Sequence, residues 1–470
     1  MSTPGDAVNA HEMPFLEELL TASSLGLYFT DHAIIRLSHD ASFWVEDNEP
    51  TLDRLAVFIH EYAHYLHNFS TGAGVYGFIA TLRLLALFMS TVGEDGASIG
   101  STALAPEAAA EFDGVVRWRK HITGTQLAPM GMGSASWSDL QVVEIKRVSD
   151  NIPLANQILD VKSANVTLKL GRSDTAPVAD VALGAHVLME GLAWEIERIL
   201  FISEGRGTAQ LDLTVPAWPY KIPRVIFEQV AGTALSSEMM AKVLLLALQS
   251  TDPGDAFIEL AQVFKGNVEG RSHAEIVGAL QKTVCDFLSA KKESLFSAWK
   301  LDADRFLSRP PLHRAFTAML GWAREYLELR TTSPFFEVDL VSTTDRNALV
   351  GMLKAFPPCP IIQETGPLSH ELELILLSEQ PPDQGQVQDL AIAQSLLHFA
   401  ARHIGAREIV PTSRAQEGAC RFWGACKLPL TSSAPQICQR RPWESFKPAD
   451  VECCWYASAV RISRSVKRTS

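Results

Sequence analysis

Cysteine is scarce in most of this sequence of 470 residues, since five of its seven cysteines lie at or beyond residue 420. No C-x-x-C pair occurs, so the spacing of a standard zinc ribbon is absent. The N-terminal segment also lacks a basic region followed by an apolar run, and therefore no signal peptide is indicated. We expect a cytoplasmic protein, in which disulfide bonds are disfavoured.

Long hydrophobic runs and excess positive charge are also lacking. Only residues 75–93, VYGFIATLRLLALFMSTVG, approach the length of a membrane span, and Arg83 lies near their centre. We expect a buried helix there and no membrane partner. The net charge of −13 argues against nucleic acid as a main partner.

The chain is long and rich in apolar residues. With 47% hydrophobic and 20% charged residues, it can bury large cores and divide into more than one unit. The patterning predicts an α+β protein that is mainly α. The expected units are residues 1–230, a helical domain at 231–405 and a small cysteine-rich C-terminal region at 406–470.

Periodicity predicts where the main helices and strands lie. Strands are expected within 25–46, 139–148 and 161–170, and helices at 105–120, through 235–330 and at 387–403. A further helix covers GAHVLMEGLAWEIERILF, with its start placed after Thr175 and Pro177 in its first turn. Gly191 inside this helix costs about 1 kcal/mol, which indicates that another helix approaches closely there.

One predicted helix carries an unusual set of polar side chains. The segment LAVFIHEYAHYLHNF, residues 55–69, places three histidines and a glutamate among apolar residues. His60, Glu61 and His64 spell H-E-x-x-H, and because positions i and i+4 share a helix face, the two imidazoles can point at one ion. Glu61 then lies beside the ion, where a carboxylate can take a proton from metal-bound water.

A catalytic zinc site needs a third protein ligand. The metzincin extension requires Gly at position 67 and His at position 70, but the chain has His67 and Ser70, so that class is excluded. The best candidate is Glu190, in the middle of the predicted helix at 184–201. The alternatives that stay open are Glu197, His186, His67 and His121.

Two short motifs carry a resemblance to a known group of proteins. H-E-Y-A-H at residues 60–64, followed by M-E-G-L-A at 189–193, resembles the gluzincin zinc peptidases, in which a glutamate of an E-G-x-A helix is the third ligand. The resemblance covers these two helices and, loosely, the first 230 residues. It implies a zincin-like catalytic core, with zinc held by His60, His64 and Glu190 and with Glu61 as the general base.

The cysteines of the last 51 residues raise a separate question. Their spacing, C-x5-C-x11-C-x14-C, fits no standard zinc site. Two interpretations stay open: a second metal site, or reduced and partly buried thiols packed with Trp423, Trp443 and Trp455. The five cysteines are Cys420, Cys426, Cys438, Cys453 and Cys454.

The leading functional hypothesis is a zinc-dependent peptidase. Glu61 would be the base, and Tyr220 or His186 would donate a hydrogen bond to the developing oxyanion. The expected substrate is a protein or peptide, and a regulatory protein partner is a further hypothesis. The alternative is a zinc-bearing binding or sensor protein that uses a peptidase scaffold. An intact Glu61 favours the enzyme, since a scaffold needs no base.

Overall fold

The structure is a computed structural model of the chain. It describes residues 26–29, 33–38, 51–132, 137–154, 157–266, 270–342, 346–364, 372–379, 382–423, 425, 434–446 and 454–464.

Helices make up most of the described chain, and two small sheets accompany them, so the prediction of a mainly α protein with some β structure is confirmed. The first helices are α1 (Leu52–Ser70), α2 (Gly72–Met89), α3 (Pro106–Thr123), α4 (Ala185–Ser203), α5 (Ala209–Thr214), α6 (Ile222–Ala231) and α7 (Ser237–Leu248). They are followed by α8 (Pro253–Lys265), α9 (His273–Asp304), α10 (Pro310–Thr332), α11 (Phe336–Val341), α12 (Arg346–Ala355), α13 (Gln384–Ala401), α14 (Ala434–Arg440) and α15 (Trp455–Ser463).

The first sheet joins distant parts of the chain. Its order is β1-β2-β6-β7, formed by β1 (Gly26–Phe29), β2 (Ile34–Leu37), β6 (Cys359–Glu364) and β7 (Leu372–Leu377). Strands β2 and β6 pair in parallel, with Ile35 opposite Ile361, and the other pairs are antiparallel. The sheet therefore links the expected first unit to the expected second one. The boundaries at residues 230 and 405 stay predictions.

The second sheet is antiparallel and continuous in sequence. Its strands are β3 (Leu140–Leu154), β4 (Gln157–Leu170) and β5 (Val178–Leu183). Strands β3 and β4 were expected from the alternating pattern, but β5 was not. The helix start predicted after Thr175 is wrong, because residues 178–183 pair with β4 and α4 begins only at Ala185. Buried and more exposed residues alternate along β5, with Val181 and Leu183 inside. This alternation is typical of a strand, and the helix prediction did not take it into account.

Helix α1 lies in the interior of the molecule. Thr51 caps its N-terminus by accepting a hydrogen bond from the backbone N–H of Arg54 at 3.4 Å. The helix contacts α2, α4, α10 and the first two strands, so its polar side chains are buried together with the apolar ones. His60, Glu61 and His64 are each 8% exposed or less.

Helix α2 follows α1 after a single residue and packs against it. By length and composition alone α2 could cross a membrane, but 78% of its apolar window is buried inside the protein. Arg83, near its middle, pairs with the buried Asp302 of α9 at 2.9 Å. The structure thus explains how a charged side chain is accommodated in an otherwise apolar helix.

A buried arginine fixes the end of α1. Arg330 of α10 is 1% exposed and donates from Nε to the carbonyl of Ser70 at 2.7 Å. The same guanidinium donates to the carboxylate of Glu337 on α11, from Nη1 at 3.1 Å and also from Nη2. These charge-assisted bonds satisfy the buried cation and hold the last turn of α1 against two other helices.

The junction of α1 and α2 gives the first testable prediction. A Cβ added at Gly74 would lie 2.2 Å from the carbonyl oxygen of His67, whereas one added at Gly77 of the same helix meets nothing within 4 Å. We expect Gly74→Ala to lower the melting temperature, because the two helix backbones must separate. Gly77→Ala should leave it unchanged or raise it, since alanine is favoured over glycine inside a helix by about 1 kcal/mol. Equal effects in thermal unfolding scans would contradict this packing.

Candidate metal centre

Three predicted ligands meet between α1 and α4. The Nε2 atoms of His60 and His64 are 3.2 Å apart, and each lies 3.4 Å from Oε2 of Glu190. All three residues are part of a single group that could hold a metal ion, and within the described residues it is the only such group of three or more. Two segments 126 residues apart in sequence are thus brought together by packing of the two helices.

The spacing of these three atoms is suited to a small tetrahedral cation. An ion about 2.0 to 2.1 Å from each donor requires donor–donor distances of about 3.3 to 3.4 Å in a tetrahedron. The observed distances of 3.2, 3.4 and 3.4 Å agree with those edges. Three protein donors leave the fourth vertex for water or a substrate.

A second carboxylate of α4 supports the first imidazole. Nδ1 of His60 donates a hydrogen bond to Oε1 of Glu197, so its Nε2 is the nitrogen directed at Glu190 and His64. Such a carboxylate fixes the orientation and tautomer of a metal-binding histidine and increases its basicity. Because Glu190 and Glu197 are seven residues apart, one face of α4 presents both side chains to α1.

The electrostatics of the site favour a positive charge. Burial lowers the pKa of His60, but the carboxylates of Glu197, Glu190 and Glu61 outweigh it and bring this pKa well above its usual value. Burial raises the pKa of Glu190, but the imidazoles of His64 and His60 lower it well below its usual value. Three carboxylates thus act on His60 in a desolvated space, and a divalent cation would offset most of this negative charge.

Tyr220 lies next to His60, and His186 lies near Glu190. The ring of Tyr220 meets that of His60 edge-on, with centroids 5.6 Å apart. Nδ1 of His186 is 4.0 Å from Oε1 of Glu190, and the His186 ring is hydrogen-bonded to the backbone of Gln126. Burial lowers the pKa of His186, so the neutral ring is favoured.

Gly191 lies where another segment of the chain approaches α4 closely, as its free-energy cost inside a helix indicated. A Cβ at this position would lie 2.6 Å from Cγ of Pro223 and 3.2 Å from the carbonyl oxygen of Tyr220. The absence of a side chain lets the segment of residues 217–223 pack directly on α4 beside Glu190. This close approach is what brings Tyr220 to the ring of His60.

Two other candidates for the third ligand, His121 and His67, are not part of this group. Nε2 of His121 contacts Oδ1 of Asp252 at 2.6 Å. His67 is wholly buried on α1, with Nε2 3.7 Å from Oε1 of Glu337, and neither of its ring nitrogens has a hydrogen-bond partner among the described residues. Glu190 is therefore the acidic side chain that the structure places against both His60 and His64.

Sequence reasoning missed Tyr28, which stacks on His64 with ring centroids 6.2 Å apart. Its hydroxyl accepts a hydrogen bond from Nδ2 of Asn68 at 2.7 Å. Tyr28 belongs to β1, and its contact with α1 follows from the pairing of β1 and β2 in a sheet that includes β6. No local pattern in the sequence indicates that neighbour.

The C-terminal cysteines are only partly described. Cys426 and Cys453 lie outside the described residues, whereas Cys420, Cys438 and Cys454 form no disulfide bond within the described part of the chain. The backbone N–H of Cys420 donates to the carbonyl of Cys438 at 2.7 Å. Their surroundings are aromatic: Trp443 is 5% exposed and the ring of Trp455 packs on Phe422.

No protein family, curated protein or solved structure matches this chain.

Glu190 and Glu197 of α4 lead to distinct predictions for metal binding. Glu190→Gln replaces an anionic donor by a neutral one, so we expect almost complete loss of metal from the purified protein. Glu197→Gln leaves all three donors in place and should weaken metal affinity by about 10- to 100-fold, because only the orientation and basicity of His60 change.

Elemental analysis and competition with a calibrated chelator measure both effects. The conservative control is Glu107→Gln, which makes the same chemical change at an exposed position of α3. Full metal content in Glu190→Gln, or a larger loss in Glu197→Gln than in Glu190→Gln, would refute the assignment.

Proposed function

We propose that the protein is a zinc-dependent peptidase with a zincin-like core, and that α1 and α4 carry its active site. The observation that supports this most is the buried triangle of His60, His64 and Glu190, next to Glu61 in the same helix turn. Two imidazoles and one carboxylate are a donor set of hydrolytic zinc centres. The gluzincin resemblance of the two motifs points to the same donor set.

The proposed chemistry assigns proton transfer to Glu61. Bound zinc supplies Lewis acidity, which lowers the pKa of a water molecule and polarises the peptide carbonyl. Glu61 accepts the proton of the attacking water and passes it to the leaving amine nitrogen. The effect of its carboxylate on the pKa of His60 is in keeping with a position beside the ligand set.

The surrounding side chains hold this arrangement in place. Glu197 orients His60, and Nδ1 of the neutral His186 lies 4.0 Å from Oε1 of Glu190. We assign the oxyanion donor to Tyr220 rather than to His186, because the ring of Tyr220 packs on that of the ligand His60, whereas His186 comes only within 4.0 Å of Glu190. A phenolic hydroxyl supplies a hydrogen bond without carrying a charge at neutral pH.

The substrate we propose is a peptide bond in a protein or peptide. Among the described residues, the helices beyond α6 and the cysteine-rich end contribute no side chain to the proposed site, so we assign them to substrate selection or to a regulatory protein partner. A binding or sensor protein on the same scaffold has no use for Glu61. A catalytic role of Glu61 would therefore distinguish a peptidase from a binding or sensor protein.

The central variant is Glu61→Gln, which removes the proton acceptor but neither histidine. We expect bound zinc to be retained and peptide hydrolysis to fall by several orders of magnitude. The measurement pairs zinc content with mass-spectrometric identification of proteins cleaved in cells that express either the wild type or the variant. Glu107→Gln is the matched control and should cleave like the wild type.

Two outcomes would count against the proposal. Unchanged cleavage by Glu61→Gln would exclude the mechanism, and no zinc-dependent cleavage by the wild type would favour the binding or sensor protein. If the wild type binds zinc but cleaves nothing, the metal centre would be supported and the peptidase function would be refuted.

Tyr220→Phe tests the assignment of the oxyanion donor. The variant keeps the ring against His60 but loses the hydroxyl, so zinc affinity should stay unchanged. We expect kcat to fall by about 100-fold, the scale typical for one oxyanion donor, with little change in KM. A change in KM alone would indicate substrate binding instead of transition-state stabilisation.

A further inference from the structure

A large open cavity lies outside the metal centre. Its volume is about 940 Å³, and its walls come from α10, the end of α12, the end of β7 and the start of α13. Pockets for single small ligands span about 300 to 1,000 Å³. This cavity is near the upper end of that range, so it has room for more than one side chain.

The charges that line the cavity are unbalanced. Glu325, Glu379, Asp383 and Asp389 supply four carboxylates, and Arg314 and Lys354 supply two cations, which leaves two negative charges when His313 is counted as neutral. Arg314 and Asp389 neutralise each other through two hydrogen bonds of 2.6 and 3.0 Å.

Two of the carboxylates are available to a ligand. The carboxylate of Asp383 caps α13, where it accepts from the backbone N–H of Gln386 at 2.9 Å. Glu325 and Glu379 are exposed, and neither has an ion-pair partner among the described residues. A cation in the cavity would meet two free carboxylates.

The apolar part of the lining suits the stem of a basic side chain. Trp322 and Phe356 are partly buried and face the cavity together with Pro357, Pro358 and Pro382. Lysine and arginine bury their methylene groups along such surfaces while the charged ends reach carboxylates, and aromatic faces attract the cations. Acidic groups beside aromatic rings therefore favour a basic ligand.

One wall of the cavity is tied to the helix that carries His60 and His64. The hydroxyl of Tyr65 donates to the carbonyl of Pro358 at 2.6 Å, and that of Tyr62 donates to the carbonyl of Leu353 at 3.4 Å. On the α10 side, Tyr326 donates to the carbonyl of Pro357 at 3.4 Å. These buried hydroxyls hold the wall in one conformation, which lowers the entropy cost of binding.

We propose that this cavity is a docking site for a lysine- or arginine-bearing peptide segment of a partner protein. The free carboxylates bind the basic groups, and Trp322 and Phe356 cover the methylene stems. The size of the cavity, which exceeds what one amine needs, argues for a peptide. The site lies outside the metal centre, and peptide binding here does not depend on hydrolysis.

The test measures binding of a fluorescein-labelled peptide of Lys-Gly-Arg-Gly repeats by fluorescence anisotropy. Full-length protein with the Glu61→Gln substitution is used, so the peptide stays intact whether or not the proposed peptidase activity exists. We expect Glu325→Gln combined with Glu379→Gln to weaken binding at least about tenfold. Lys354→Gln, which removes a repelling ammonium group, should strengthen it.

Controls separate this site from the general acidity of the chain. Glu107→Gln combined with Asp113→Asn makes the same change in net charge on exposed positions of α3 and should leave binding within about twofold. An equal loss in this control would refute the docking site, as would full affinity in the cavity variant or no binding of the peptide. Free arginine that competes as well as the peptide would assign the cavity to a small cation instead.

Discussion

The contact between α1 and α4 is the constraint on which the site depends. Helix α1 is enclosed by other helices and by the first sheet, so water cannot solvate His60, Glu61 and His64 freely. The two imidazoles need partners from a neighbouring element, and α4 supplies Glu190 to both and Glu197 to His60. Desolvated polar groups without partners would cost several kcal/mol each, so the packing of the two helices and the composition of the site constrain each other.

Charge explains why this packing points to a cation. The carboxylates around His60 outnumber the imidazoles, and in a buried site they raise its pKa while Glu190 stays ionised. A proton on His60 is one way to balance them, and a divalent metal ion between the three donor atoms is another. Because the donor atoms already lie at tetrahedral spacing, the metal requires little rearrangement of the helices.

Local patterns in the sequence carried most of the information about the site. Helical spacing placed His60 and His64 on one face, and Gly191 indicated the close approach that the structure contains at Pro223. Contacts between residues far apart in sequence could not be predicted from local patterns. No residue near Tyr28 in sequence indicates that it stacks on His64, and none near Arg330 indicates its hydrogen bonds to Ser70. The start of α4 was misplaced because the strand at residues 178–183 is defined by its pairing with β4, whereas Pro177 resembles a helix start.

The most direct measurement is X-ray absorption at the zinc edge of the wild-type protein loaded with one equivalent of zinc. We expect a shell of nitrogen and oxygen donors at about 2.0 to 2.1 Å, with the scattering pattern of two imidazoles. A shell of sulfur donors at about 2.3 Å would contradict it, because it would place the metal on the cysteines near the C-terminus and leave His60, His64 and Glu190 without the ion that explains their burial.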